Sequence, residues 1–381
     1  MNRRDNVLDL VKAAFVVLTI KVTASSSVLI PWGSFVDNLC IVFAILVTLA
    51  KLVRLTLPIG KLAGLGFLSV FTLYTCISLE QYDLLITVIT VYLLTGEDLE
   101  EYISLMLKIQ VWLVIAHVAV SGCLSLIGFS ERFWFVSNGR LRFNGGFVHS
   151  NVLSSYILSC VLMFAWKRFR RITPNQFGWM TCIMVLSYIM SRSRTGLLLN
   201  LFLLVILILT QNENKLATKL IDHALLLLFP GLSALVFWAQ KQYMTGSGVA
   251  LLLDDLLTGR IKYAAYAYLR SGVTWLPRYL DYAYSGLISW TPEWNLNTFT
   301  FDCLYSFLFV QMGIVWIVLI TGIIFLVYKK FDFRNKLFVL MWIVYSIVEV
   351  HGLNCIKFFP LILLTTLLSG KGAEDHPIHQ D

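Results

Sequence analysis

The chain has 381 residues, 58% of them hydrophobic and only 14% charged, with a formal net charge of +8 and a mean hydropathy of +0.77. Soluble domains carry about 25% charged and about 45–50% apolar residues, so this composition excludes one. In a chain this apolar the positive charge marks cytoplasmic loops rather than a nucleic-acid partner, and no nucleic acid is expected.

Apolar runs of about 15–25 residues recur, long enough to cross a hydrocarbon core, and lack the strict alternation of barrel strands. The fold expected is an all-α polytopic integral membrane protein forming one membrane domain over residues 1–381. Met1-Asn-Arg3-Arg4-Asp precedes an apolar stretch that holds Lys12 and Lys21 and has no small-residue cleavage pattern, so it reads as an uncleaved first span. About twelve spans are placed by length and apolarity. They fall at 7–24, 34–50, 62–79, 84–96, 103–127, 147–166, 177–191, 195–210, 220–238, 303–328, 337–350 and 357–370.

Lys51, Arg54 and Lys61, the cluster Lys167-Arg168-Phe-Arg170-Arg171, Lys215 and Lys219, then Lys329, Lys330, Arg334 and Lys336 all fall on one side of that layout. The opposite loops 25–33 and 80–83 hold no Lys or Arg. The charge bias therefore puts both termini, including the short tail 371–381, in the cytoplasm. The acidic loop Glu97-Asp98-Leu-Glu100-Glu101 also falls on the cytoplasmic side. Seven scattered cysteines show no metal-ligand spacing, and neither a metal nor a cofactor is expected.

Topology leaves several outer arginines unexplained. Arg140 and Arg142 precede Gly145-Gly146, a pair that permits a close turn. His149 and Asn151 open the next span. Ser191-Arg192-Ser193-Arg194 belongs in a tight turn at the membrane boundary. These arginines either snorkel or bind phosphate oxygens as bidentate forks.

One large extracytoplasmic loop, 239–302, precedes the tenth span, and its 251–270 stretch has the spacing of one or two interfacial helices. Arg260 lies there, with Asp254 and Asp255 as potential partners. Trp275, Trp290, Trp294, Tyr279, Tyr282 and Tyr284 suit interface anchoring better than sugar stacking. Asp302 stands where a helix cap is expected. Glu349 and His351 close the eleventh span, where titratable groups could take a proton from a sugar hydroxyl. No Walker loop, cytosolic nucleotide-sugar domain or mid-span acid series is present, which argues against an ATPase and an ion-coupled transporter.

Arg142-Phe-Asn-Gly145-Gly-Phe-Val-His149-Ser-Asn151, Ser193-Arg194-Thr195-Gly196, Thr258-Gly259-Arg260, and Asp302-Cys-Leu-Tyr305 ahead of Gln311-Met-Gly313 occur in that order. This order resembles the O-antigen polymerase and ligase family, which includes bacterial capsular and exopolysaccharide polymerases. The resemblance implies metal-independent inverting glycosyl transfer from an undecaprenyl-diphosphate-linked oligosaccharide at the outer face of the bacterial plasma (inner) membrane. Membrane lipid, a flippase and a chain-length regulator are the partners it implies. Arg194 and Arg260 match the family's arginine positions and would bind the departing diphosphate, with Arg192 and Arg142 beside them. Asp302 matches the acid that accepts the acceptor's proton. Cys303 stands where the family often shows Asn, so His149, Glu349 and His351 remain rival bases or acceptor-binding groups. A ligase moving a finished glycan to another acceptor and a lipid-linked-glycan flippase are the alternative functions.

Overall fold

The computed structural model describes residues 3–31, 33–54, 58–137, 139–211, 215–257, 259–284, 286, 299 and 301–369. In chain order the helices begin with α1 Arg3–Ser25, α2 Ser34–Leu52, α3 Ile59–Leu79, α4 Asp83–Leu93 and α5 Leu99–Leu124. A hairpin of β1 Trp134–Ser137 and β2 Arg140–Phe143 follows. Next come α6 Ser150–Lys167, α7 Pro174–Ser191, α8 Arg194–Gln211, α9 Lys215–Tyr243, α10 Gly248–Leu256 and α11 Arg260–Ser271. The last helices are α12 Leu304–Phe307, α13 Ile314–Lys330, α14 Phe333–Tyr345 and α15 Thr365–Leu368.

The fold is 77% helical. Among the described residues, Ser34–Leu52, Ile59–Leu79, Leu99–Arg132 and Thr218–Tyr243 are long and apolar enough to cross a membrane. Their faces are inverted relative to a soluble helix. Leu39, Val42, Leu46 and Leu49 of α2 are exposed at helical spacing, while Thr48 and Lys51 are buried. On α3, Val70, Leu73 and Ile77 face outward and Thr72 and Thr75 inward. Outward apolar stripes of this kind suit a hydrocarbon solvent, consistent with an all-α membrane protein.

The chain forms two compact units. The first comprises Met1–Pro58, Ile86–Thr218 and Asn354–Lys371. Val11, Ala14, Phe15, Leu18 and Val22 line one buried face of α1, which packs against α2 and α5. The two lysines of this helix have acidic partners: Lys12 Nζ lies 2.5 Å from Glu101 Oε1, and Lys21 Nζ lies 3.5 Å from Asp37 Oδ1. Lys51, though buried, donates to Leu93 O at 2.7 Å and meets Glu97 at 2.5 Å.

The second unit contains Ile59–Leu85 and Lys219–Leu353. The expected tenth span, 303–328, is not one helix. It consists of α12, a π turn over Leu308–Met312, a break at Gly313 with φ +96°, and α13. The segment after α11 fills that break. Thr274 N donates to Phe309 O at 3.0 Å, Ile314 N to Thr274 O at 3.0 Å, and Arg278 N to Gln311 O at 3.0 Å. The Arg278 guanidinium adds bonds to Val310 O, Ser271 O and Gly272 O. These donors and acceptors satisfy the groups that the broken helix leaves free.

Three other expectations change. The eleventh span's helix ends at Tyr345, not at 350. The twelfth, 357–370, is a 3-10 turn, Phe359–Leu364, followed by the short α15. Side chains of its own unit satisfy the irregular backbone before it. Thr87 Oγ1 accepts from Cys355 N at 2.8 Å, Gln110 Nε2 donates to Ile356 O at 2.5 Å, and Ser159 Oγ accepts from Phe359 N at 3.3 Å. Non-helical backbone is tolerated at membrane depth where protein satisfies it in this way. The hairpin is the third departure from an all-α chain. It pairs Phe135 with Arg142, and the flanking Phe133 and Phe143 join the core around Phe147, Leu153 and Tyr156. The helical stretch expected in the large loop is two helices, α10 and α11, separated at Gly259. Trp290, Trp294 and the tail 371–381 lie outside the described residues.

Gly313→Ala should destabilise the fold. Its φ of +96° disfavours a side chain, and an added Cβ would strike the Trp275 backbone. The left-handed strain alone costs about 1–3 kcal/mol. Gly322→Ala, inside α13 with open space around the added carbon, serves as control and should be neutral or slightly stabilising. Thermal unfolding of the purified protein checks both, and an unchanged midpoint for Gly313→Ala would contradict the packing described.

Candidate functional site

In the first unit, sequence-selected residues gather at helix ends. His149 is the N-cap of α6, in extended geometry, and its Nδ1 accepts from Asn151 N at 3.2 Å. Its ring lies 5.6 Å from that of Phe135. Gly145 and Gly146 both have positive φ, and a Cβ on Gly146 would come within 2.7 Å of Leu29. Arg192 ends α7 in the left-handed region at φ +53°, and Arg194 starts α8. Ser191 and Ser193 are buried between them while both arginines are exposed. Arg142 is half-buried on β2.

The second unit brings Arg260, Asp302, Glu349 and His351 together. Gly259, in the left-handed region at φ +85°, is the N-cap of α11 and starts it directly at Arg260. Asp254 holds this corner by accepting from Lys262 N at 2.7 Å, so it braces α11 rather than pairing with Arg260. Burial raises the Asp254 carboxyl above its ordinary range, while the backbone N–H groups of Lys262 and Ile261 oppose that rise.

Arg260 is only 9% exposed and is engaged on every side. Its Nε donates to Val348 O at 3.0 Å and its Nη1 to Leu257 O at 3.1 Å. Nη2 lies 3.7 Å from Glu349 Oε1, and Nε lies 4.0 Å from Asp302 Oδ2. The guanidinium is therefore the counter-ion of two carboxylates and a clamp on the turn after α14. Asp302 precedes α12 but does not cap it. Cys303 holds the N-cap position, with no side-chain cap bond.

α12 itself is fixed by Leu304 N to Ser346 O at 2.9 Å and Tyr305 OH to Ile343 O at 2.8 Å. Asp302 and Glu349 are thus carried on two chain segments that bond directly to each other. Their exposures differ sharply. The side chain of Asp302 is 48% exposed and that of Glu349 only 6%. Glu349 lies beyond the end of α14, in the turn after the helix. Burial raises its carboxyl to about 8, the Asp302 charge pushes the same way, and Arg260 opposes.

Both acids line a cavity of about 340 Å³. His351 forms part of its wall, as do the rings of Tyr282, Phe301 and Phe307. Tyr282 is set in place by a 2.9 Å bond from its hydroxyl to Gln311 Oε1 and by ring contact with Phe299. The α3–α4 turn supplies Tyr82 and Asp83 to the same wall. Sequence reasoning passed over those two. The sole signal was that loop 80–83 falls on the same side as Asp302 and Glu349 in the charge-based topology.

Because the folded protein keeps the Glu349 proton to about 8, it binds more protons than the unfolded chain from the ordinary carboxylate range up to that pH. Stability therefore falls as pH rises through this window, on the order of 5 kcal/mol in total. Glu349→Gln should remove the decline in thermal-unfolding curves, and an unaltered slope in that variant would refute the assignment.

No known protein family, curated protein or solved structure matches this chain.

Proposed function

We propose that the chain is a membrane glycosyltransferase of the polysaccharide-polymerase kind, joining undecaprenyl-diphosphate-linked repeat units at the outer face of a bacterial plasma membrane. One observation carries the reading: a half-exposed carboxylate, Asp302, stands beside a buried Arg260–Glu349 pair at the wall of a cavity lined by aromatic rings. The twelve-span topology and cytoplasmic termini belong to this proposal and rest on the charge pattern of the loops.

In this mechanism Asp302 accepts the proton of the acceptor sugar hydroxyl, since it is the more accessible acid. The acceptor oxygen then bonds to the anomeric carbon of the donor from the face opposite the diphosphate. The bond between that carbon and the phosphate oxygen breaks, and undecaprenyl diphosphate departs with the electron pair. Arg260, saturated by protein partners, orients Asp302 and Glu349. The diphosphate role of Arg142, Arg192 and Arg194 rests on their place in the motif order and, for the last two, on exposed guanidinium forks.

Purified protein given a lipid-diphosphate-linked repeat unit should build a ladder of longer glycans. Asp302→Asn should lower kcat by about 100- to 10,000-fold with little change in KM. Folded wild-type protein that extends no cognate substrate would sink the proposal. His149→Ala separates capping from proton transfer. As a cap, His149 contributes about 1 kcal/mol, so the variant should unfold at lower temperature yet keep kcat within a few-fold of wild type. A collapse of kcat comparable with that of Asp302→Asn would return His149 to the list of bases.

A further inference from the structure

One exposed apolar surface of the first unit lies outside its long helices. The run Leu99–Arg132 is apolar over 34 residues, which as one straight helix would measure about 51 Å against a hydrocarbon core of about 30 Å. The run does not stay straight. α5 ends at Leu124, and the chain turns at Ile127 and at Gly128, whose φ is +105°.

The chain then returns along α5. A Cβ on Gly145 would lie 3.2 Å from the Val118 side chain, and one on Gly146 would lie 3.2 Å from His117 O. Val118 precedes the helix end at Leu124 by about 9 Å of helical rise. The root of the hairpin is therefore level with the body of α5, and Phe133 and Phe143 join a core cluster that includes Val114 and Val118. Over the same stretch α5 turns Ile115 and Val120 outward.

Strand alternation gives the hairpin two faces. Its register puts Trp134 opposite Phe143 and Val136 opposite Leu141 on one face, with Phe135 opposite Arg142 on the other. Phe143 is buried, whereas Val136 is 71% exposed and Leu141 and Trp134 are exposed beside it. The turn before the hairpin adds Leu126, at 88% exposure, with Ile127 and Phe129. The tip pair Val136–Leu141 stands one alternation, roughly 7 Å, from the root pair. This patch continues the outward apolar stripe of α5, and exposed Glu131 and Arg132 interrupt it with charge. A tryptophan beside such a charged margin suits the border between hydrocarbon and headgroups.

We propose that the β1–β2 hairpin is a lipid-interface anchor, its Trp134, Val136 and Leu141 face seated with Leu126, Ile127 and Phe129 at the acyl-chain border of the leaflet that receives the end of α5. Apolar faces of interfacial segments sink about 5–10 Å into that border. Seating this face in lipid leaves Phe135 and Arg142 on the opposite one, where the Phe135 ring lies 5.6 Å from that of the α6 cap His149. The anchor rests on α5 crossing a bilayer and is independent of the polymerase reading.

The test uses the full chain in phosphatidylcholine nanodiscs that hold one copy each. A nitroxide is attached through p-acetylphenylalanine at Val136 or at Leu141, with Ile115 as the lipid reference and Glu100, exposed at the start of α5, as the water reference. Power saturation compares collisions with oxygen, which concentrates in lipid, and with a nickel chelate, which stays in water. The oxygen-to-nickel ratio at Val136 and Leu141 should exceed that at Glu100 by about threefold or more and stay below that at Ile115. A ratio at both sites equal to that at Glu100 would overturn the anchor. So would low collision with both agents and an immobilised spectrum, because protein rather than lipid would then cover the face. A water-like ratio at Ile115 as well would defeat the crossing of α5 along with the anchor.

Discussion

Charged groups inside a helical protein with apolar outer faces must find partners there, and several local structures in this chain depend on that constraint. A buried lone ion costs several kcal/mol, far more than any one packing contact contributes. Lys51 meets Glu97, Lys21 meets Asp37, and Lys336 meets Asp222 at 2.9 Å. Each pair ties together two different segments of the chain. Arg260 extends the same logic to a site, because its two carboxylate partners come from the starts and ends of different helices. Removing Arg260 takes the counter-ion from both carboxylates at once, the buried Glu349 and the half-exposed Asp302.

The second constraint concerns backbone rather than charge. The broken helix at Gly313 and the irregular stretch at 354–359 would each expose unsatisfied amides in a hydrocarbon setting. Both are sealed by protein groups: the 274–278 segment in one unit, and Thr87, Gln110 and Ser159 in the other. The seal at Gly313 also has a functional consequence. It anchors the chain just before Tyr282, whose hydroxyl then reaches Gln311 on the same broken helix. A wall of the cavity is thereby built on a helix defect.

Arginine roles divide accordingly. Arg192 and Arg194 stand exposed at a helix junction. Arg260 and Arg278 are consumed by internal bonds and act as structural cations. Motif order cannot separate these two kinds, since both are short arginine-containing turns. What separates them is whether carbonyls and carboxylates elsewhere in the chain converge on the guanidinium.

The sequence by itself determined the helical, apolar class of the chain, the positions of most helices and the turn at Gly145-Gly146, and it singled out Asp302, Glu349 and His351, which line one cavity. These follow from local quantities: run length, loop charge and glycine placement. It also pointed to helices in the 239–302 segment, because charged and apolar residues there alternate at helical spacing. It did not reveal the hairpin at 134–143, the break at Gly313, the irregular stretch ending near Leu364, or the membership of Tyr82 and Asp83 in the site. An apolar run reads the same whether its helix is continuous or is interrupted and resealed by backbone from another segment. Only the tertiary structure decided these features, because each depends on a partner tens or hundreds of residues away. The same holds for Arg260, a lone basic residue in sequence that becomes the centre of a carboxylate cluster only when α11, the segment before α12 and the turn after α14 meet.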